Sequence, residues 1–374
     1  MLAARPVKIA LVHDWLNQAG GAEVVLDVLH EMFPAAPIYT TMRDPARVPA
    51  VATWDVRPSW MDRLPGIHRR HQPYLPLYPI TWELTRLHGY DLVLSNKSGF
   101  CHGVRAPGAV HVCYCLTPTR FVWQAREYLE YEELDAPARL ALRVLLPFLR
   151  RWDRAAAGRV HHFAAISTTV RERIATFYRR PSTVIFPPTS LDDLCWSAPR
   201  EDFCLVLARL VPYKRIDLAV EAFNRLGRRL VIAGDGRDRG RLEALAGPGI
   251  EFRGQLPRAE VVDLLARCRA LIWPGVEDYG LAPIEAMGSG RPVIARRAGG
   301  VLDTVREGLS GLFFDAPDPA ALAAAVERAD ALPWEPAAIR AHAEQFGQDA
   351  FELRLIGFLR QALAQAGGRR GRAR

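Results

Sequence analysis

Lysine is nearly missing from this chain. Lys8, Lys97 and Lys214 stand alone among 49 cationic side chains, and arginine supplies the rest. Long apolar runs are missing too. No stretch reaches the ~18 residues that a membrane-spanning helix needs. The best candidate, residues 140–149, is interrupted by Arg143 and Pro147. The first apolar run stops at His13-Asp14, with no signal-peptide cleavage pattern behind it. These absences make the cytoplasm the expected location. The six cysteines, Cys101, Cys113, Cys115, Cys195, Cys204 and Cys268, fit no zinc or disulfide spacing and read as buried thiols. No nucleic-acid motif accompanies the net charge of +8.

What is present is an ordinary globular composition, 49% hydrophobic and 24% charged, over 374 residues. That length suggests two cores of similar size rather than one. The charge is unevenly spread. Residues 1–190 carry 23 Lys and Arg against 16 Asp and Glu, whereas residues 191–374 carry 26 against 25. A basic first half and an arginine-rich end point to a polyanion or an anionic membrane as partner.

Strand and helix signals alternate through the first half. Strands are expected at 7–12, 37–40, 51–56, 91–95, 110–115 and 160–166, with an amphipathic helix at 22–32. This is the βαβ rhythm of a parallel, doubly wound sheet. Residues 57–88 break it with five prolines, five arginines, three histidines and Trp60, Tyr74, Tyr78 and Trp82. The mix suits a membrane interface or an acceptor bearing a diphosphate. The four aromatics would sit at headgroup level while Arg57, Arg63, Arg69 and Arg70 meet phosphates. Pro187, Pro188 and Pro199 mark a linker, and then the rhythm restarts. Strands follow at 203–208, 229–233, 250–253, 270–273, 292–295 and 311–314, helices at 216–226, 238–246 and 258–269, and a helical stretch at 318–365. Two such units imply a ligand-binding crevice outside the carboxyl ends of the strands.

Residues 271–300 hold the densest chemistry. Glu277 and Glu285 lie within nine residues, between two buried-strand runs. Pro274-Gly275 ends the first strand. Pro283 suits the first turn of a helix from about 282 to 288, which would place Glu285 in that turn and Glu277 in the loop before it. The backbone N–H groups of Tyr279, Gly280 and Leu281 would be free for an anion at the helix N-terminus. Upstream, Arg209 and Lys214 lie five apart between a strand end and a helix, where both can face one anionic group. Gly234-Asp235-Gly236 permits close backbone approach after a strand. Gly20-Gly21 opens the first helix, where a phosphate or a sugar hydroxyl would fit.

These motifs resemble retaining GT-B glycosyltransferases of glycosyltransferase family 4, in particular mannosyltransferase-like members. The Glu-x7-Glu signature is matched by Glu277, Tyr279, Gly280, Glu285, Ala286, Met287, Gly290, Pro292 and Val293, with Gly288 where alanine is usual. The segment from Arg209 to Lys214 resembles the family's G-R-L-x-x-x-K run, with Ala208 for the glycine. Phe252-Arg253-Gly254 and Ser167 in A-I-S-x-x-V-x-x-R-I fall in further family segments. Thr117 to Trp123, with Arg120, resembles a mannosyltransferase-like T-P-x-R-(Y/F)-x-W. Leu116 stands where many members have histidine.

The resemblance implies an α/β GT-B fold: two doubly wound Rossmann-like domains facing a cleft, with a C-terminal helix crossing back. It implies an acceptor-binding domain at 1–186, a linker at 187–200 and a nucleotide-sugar-binding domain at 201–345. A returning helix at 346–366 and a basic tail at 367–374 complete the expected organisation. It implies that Arg209 and Lys214 hold the donor diphosphate and are catalytic with Glu277. Glu285 would hold the ribose and Glu277 the transferred sugar. Gly20, Gly21, Gly234, Arg253, Tyr279, Gly280 and Leu281 complete the donor site, while Arg63, Arg69, Arg70 and Arg120 meet acceptor or membrane. The reaction expected is metal-independent, retaining transfer from a GDP- or UDP-sugar, mannose favoured, to a lipid-linked or surface-polysaccharide acceptor. No cofactor and no nucleic acid enter, and the enzyme would sit peripherally on the inner face of the membrane. The alternative, prompted by Leu116, is a catalytically silent nucleotide-sugar-binding partner in a polysaccharide assembly complex.

Overall fold

A computed structural model describes residues 6–18, 20–125 and 136–372. Contacts divide the chain into two compact units, Met1–Pro188 with Phe351–Arg374, and Thr189–Ala350.

Among the described residues of the first unit, seven strands form one parallel sheet. They are β1 (Ile9–His13), β2 (Ile38–Thr40), β3 (Val56–Pro58), β4 (Leu92–Lys97), β5 (Val110–Cys115), β6 (His162–Ala165) and β7 (Ser182–Val184), in the order β3-β2-β1-β4-β5-β6-β7. Strands β1, β4 and β5 are buried almost throughout, as expected of parallel strands covered on both faces. The strand expected at 51–56 is instead a 3-10 turn, Pro49–Ala52, followed by β3. Pro49 has no N–H to give a ladder, whereas Val56–Pro58 pairs with β2 at the sheet edge, where a proline is tolerated. Strand β7 is three residues long and carries no periodic signal, so the sequence did not announce it.

The window 57–88 is not the aromatic membrane face expected of it. Tyr78 and Trp82 are each only 1% exposed and belong to the core with Val12, Met61, Val93 and Phe100. The short helix Leu77–Leu84 turns both rings inward because tyrosine and tryptophan bury more apolar surface than any neighbour on that helix. Tyr74 donates its hydroxyl to the carbonyl of Pro65. Of the four aromatics only Trp60 remains substantially exposed. Arg57 is bound to Asp55 and to the Tyr39 hydroxyl.

The second unit holds a parallel six-stranded sheet among the described residues: β8 (Cys204–Leu207), β9 (Leu230–Ala233), β10 (Ile250–Gly254), β11 (Leu271–Trp273), β12 (Val293–Arg296) and β13 (Gly311–Phe314). Its order is β10-β9-β8-β11-β12-β13, so the winding reverses between β8 and β11. The core packs Val206, Ile232, Ile272 and Ile294 of the sheet against Phe223 and Leu322 of the covering helices. The stretch 318–365 is three helices, Pro319–Asp330, Pro336–Glu344 and Gln348–Arg372, separated where Pro336 and Gly347 interrupt the backbone ladder. The last helix packs Phe351 edge-on against Tyr114 and Phe358 against His162, within the first unit. Of the basic tail, residues 373–374 lie outside the described residues. Among the described residues no helix is long and apolar enough to cross a membrane.

Candidate active site

The reversal between β8 and β11 is where a doubly wound sheet opens a crevice at its carboxyl edge. The loops leaving these two strands carry Arg209 and Lys214 on one side and Glu277 on the other. Glycines set how closely they approach. A Cβ on Gly275 would lie 2.7 Å from the Lys214 carbonyl oxygen, so only glycine lets the loop after β11 rest on the Lys214 backbone. Gly234, at φ +131°, would put a Cβ 1.9 Å from the Ala208 carbonyl, and Gly236 one 2.2 Å from that of Leu210. The Gly-Asp-Gly turn therefore props the Arg209 loop from behind, which differs from the open approach to a ligand that the sequence suggested. Leu210 N–H donates to the Asp235 carbonyl at 2.9 Å and seals this contact.

Lys214 and Glu277 meet directly. Their side chains form an ion pair, 13% and 16% exposed. The Lys214 ammonium also lies 5.0 Å from the Trp273 ring centroid and 5.6 Å from that of Tyr213. Two aromatic faces and one carboxylate thus fix the charge of the one lysine in this unit. Arg209 is exposed and its guanidinium makes no ion pair with any described residue. The Glu277 loop is held by a second glycine pair. Gly300 N–H donates to the Glu277 carbonyl at 2.8 Å, and a Cβ on Gly299 or Gly300 would come within 2.4 Å of residues 277–279.

Gly280, at φ +96°, turns the chain into the helix Leu281–Gly288. That start is one residue earlier than expected, so Glu285 is its fifth residue and not in the first turn. No acidic side chain occupies that turn. What positions Glu285 is Arg258, a residue that sequence reasoning missed. Arg258 ion-pairs with Glu285 and grips both oxygens of Asp193 at 2.7 and 3.0 Å. The bond to Asp193 pushes the Arg258 guanidinium above its ordinary value and holds the Asp193 carboxyl below its own. No spacing rule links positions 193, 258 and 285, so no sequence signal was available. Tyr279 is buried, and Arg253 is half-exposed and paired with Glu251 at 2.6 Å.

In the first unit, Gly20 caps the helix Gly21–Met32 in an extended conformation, and Glu23 in its first turn is buried. Glu23 lies 3.3 Å from His13 Nε2, and Asn96 Nδ2 donates to the Ala22 carbonyl at 2.8 Å. His13, the last residue of β1, pairs in register with Asn96 of the adjacent β4. Beside them the buried Asp14 carboxylate accepts four backbone N–H groups, from Ser98 to Cys101, at 2.5–2.8 Å. Neither cluster was named from the sequence. Arg120 opens the turn Arg120–Trp123, which hangs on a buried network. Asp153 accepts from Trp123 Nε1 at 2.6 Å and from the Tyr178 hydroxyl at 2.8 Å. The buried Lys97 donates to the Thr117 carbonyl at 3.0 Å. Burial pushes the Asp153 carboxyl up. Leu116 is half-buried at the end of β5. Arg63, at the end of the 3-10 turn Trp60–Arg63, and Arg69 and Arg70 after Gly66 are exposed and join none of these clusters.

Residues 197–347 match the family model described as "Glycosyl transferases group 1". The chain is 32% identical over 189 residues to a D-inositol 3-phosphate glycosyltransferase of Acidothermus cellulolyticus, covering 44% of this chain and 42% of that protein. It is 31% identical over 176 residues to a GDP-mannose-dependent alpha-mannosyltransferase of Mycolicibacterium smegmatis, covering 44% and 47%. The matches thus span less than half the length of these curated relatives. Among solved structures, Anabaena HepE in complex with UDP superposes with a TM-score of 0.71 at 17% identity, over 95% of this chain and all of that one. A sucrose-phosphate synthase of Thermosynechococcus elongatus does so with a TM-score of 0.69 at 18% identity, over 96% of this chain and all of that one. At such identities the likeness speaks for the fold, two parallel α/β units of GT-B type. Residues 197–347 thus carry the likeness to group 1 glycosyl transferases, within a chain whose fold is of GT-B type.

Proposed function

We propose that the chain is a retaining glycosyltransferase that takes a sugar from a nucleoside-diphosphate sugar. The observation that carries this reading is the meeting of Lys214 and Glu277 at the β8–β11 reversal, with Arg209 exposed on the same loop as Lys214. Arg209 and Lys214 hold the diphosphate, and the N-terminus of the helix Leu281–Gly288 adds its dipole. Charge grows on the β-phosphate as the bond from sugar C1 to the bridging oxygen breaks. Fixed cations stabilise that state more than the ground state. The acceptor hydroxyl oxygen bonds to C1 on the face the diphosphate leaves, and its proton passes to the departing phosphate oxygen. Two cations and a helix end neutralise the leaving group, so the reaction needs no metal ion. Glu277 orients the transferred sugar, and Glu285, held by Arg258, takes the ribose hydroxyls.

The donor favoured is GDP-mannose, by likeness to the alpha-mannosyltransferase. The acceptor is a lipid-linked or surface-polysaccharide sugar, reached at the cytoplasmic face of a membrane. The presence of Arg209, Lys214, Glu277 and Glu285 together supports turnover over a catalytically silent role. Calorimetry with GDP, UDP and their sugars, followed by assay of nucleoside diphosphate release, tests the reading. Arg209→Ala with Lys214→Ala is expected to weaken nucleoside diphosphate binding at least about tenfold. Unchanged affinity in that double variant refutes the assignment.

A further inference from the structure

The helix Ala136–Ala157 has a face that the first unit does not use. Its inner side is apolar and buried through Leu142, Leu149, Ala156 and Ala157, with the networked Asp153 among them. Its outer side is also apolar. Leu140, Val144 and Phe148 are 64%, 72% and 55% exposed, and they recur every four residues, so they form one stripe. On a surface helix the side away from the core should be polar. Here three large apolar side chains face outward instead, which marks an interaction site.

The charges on this helix say what the stripe meets. Arg139, Arg143, Arg150 and Arg154 fall at helical spacings that put them in a row along one flank, and Arg151 lies in line with the stripe. All five are exposed, and none makes an ion pair with a described residue. Arg150 and Arg154 instead lie over the Trp123 ring at 5.9 and 5.1 Å. The one acid of the helix, Asp153, is fully buried and offers the surface no negative charge. An apolar stripe edged by arginines that pair with no described residue fits a bilayer, whose acyl chains take the stripe and whose anionic headgroups take the guanidinium groups. A protein partner would call for polar groups matched to that edge, and the helix offers it only cations.

We infer that this helix docks the protein flat on an anionic lipid surface, with Leu140, Val144 and Phe148 inserted. This rests on the proposed function only for the identity of the acceptor, since docking itself needs no turnover. It also moves the contact away from residues 57–88, whose Tyr78 and Trp82 are core.

The test is co-sedimentation of the full chain with vesicles, of phosphatidylcholine alone and with phosphatidylglycerol added, at low and high salt. The protein should pellet with the anionic vesicles at low salt and be released as salt shortens screening to about 3 Å at 1 M. Leu140→Asp with Val144→Asp and Phe148→Asp should lower the bound fraction at least about tenfold. Arg139→Glu with Arg143→Glu and Arg151→Glu should do the same, whereas Arg63→Glu with Arg69→Glu and Arg70→Glu should bind as the parent does. Arg139→Gln with Arg143→Gln and Arg151→Gln, a milder change at exposed positions, should give an intermediate loss and guards against misfolding. Equal pelleting with neutral vesicles, or none with either, overturns the inference, as does undiminished binding by the stripe and arginine variants. Nucleoside diphosphate affinity, measured on the same samples without lipid, reports separately on the proposed function.

Discussion

Replacing Glu277 by glutamine should strengthen nucleoside diphosphate binding while destroying turnover. The sign follows from the ion pair. Without substrate, Glu277 neutralises the Lys214 ammonium, and a diphosphate arriving at Lys214 must share that cation or displace the carboxylate. Both side chains are mostly buried, at 13% and 16% exposed, so the pair is stronger than a solvated surface pair yet short of a fully buried one. A coupling of about 1 kcal/mol, the upper end for surface pairs, predicts roughly fivefold tighter binding of GDP or UDP to Glu277→Gln. Turnover should fall by about two orders of magnitude, because the carboxylate proposed to orient the transferred sugar is lost. Lys214→Met should weaken the diphosphate at least about tenfold, and on that background Glu277→Gln should change affinity little. Calorimetry on the four proteins of this cycle gives the coupling directly. If Glu277→Gln weakens the nucleoside diphosphate as Lys214→Met does, or if the two effects simply add, the reasoning is refuted.

Acid should destabilise the first unit through its buried histidines. Burial lowers His111 from 6.5 to about 3 and pushes His102 well below its ordinary value. A group with a depressed folded-state pKa leaves stability intact above about 6.5 and erodes it as pH falls towards 3, by about 1.4 kcal/mol per unit per histidine. Urea midpoints at pH 7 and pH 5 check the slope, and a flat profile would show that these rings are not held neutral. Gly234→Ala should cost about 2–4 kcal/mol, because a Cβ 1.9 Å from a backbone carbonyl cannot be relieved by a rotamer change. Displacing the Arg209 loop should weaken nucleoside diphosphate binding as well. A stable Gly234→Ala protein with normal affinity would show that the turn does not support that loop.

The sequence by itself determined the class of fold and singled out the charged residues of the second unit. Parallel strands buried on both faces read as short apolar runs, and β5 and β13 were legible to the residue, as was the helix Ile216–Leu226. Glu277 and Glu285 stood out because their neighbours, Gly275, Gly280 and Pro283, have backbone needs that few residues meet, and Arg209 and Lys214 because they lie five apart between a strand end and a helix. What the tertiary structure decided is which of these touch. Sheet order brings the loops after β8 and β11 together, and order depends on pairing across more than sixty residues of chain, which no local pattern encodes. Hence Lys214 and Glu277, read as separate binders of diphosphate and sugar, are partners, and Arg258 joins Asp193 to Glu285 unannounced. The same reason explains the errors. Composition marked residues 57–88 as interfacial because aromatics and cations alternate there, but which face of a short helix points inward is fixed by what packs over it. The helix Ala136–Ala157 is apolar on two sides, and only the position of the sheet shows which side is left to the solvent.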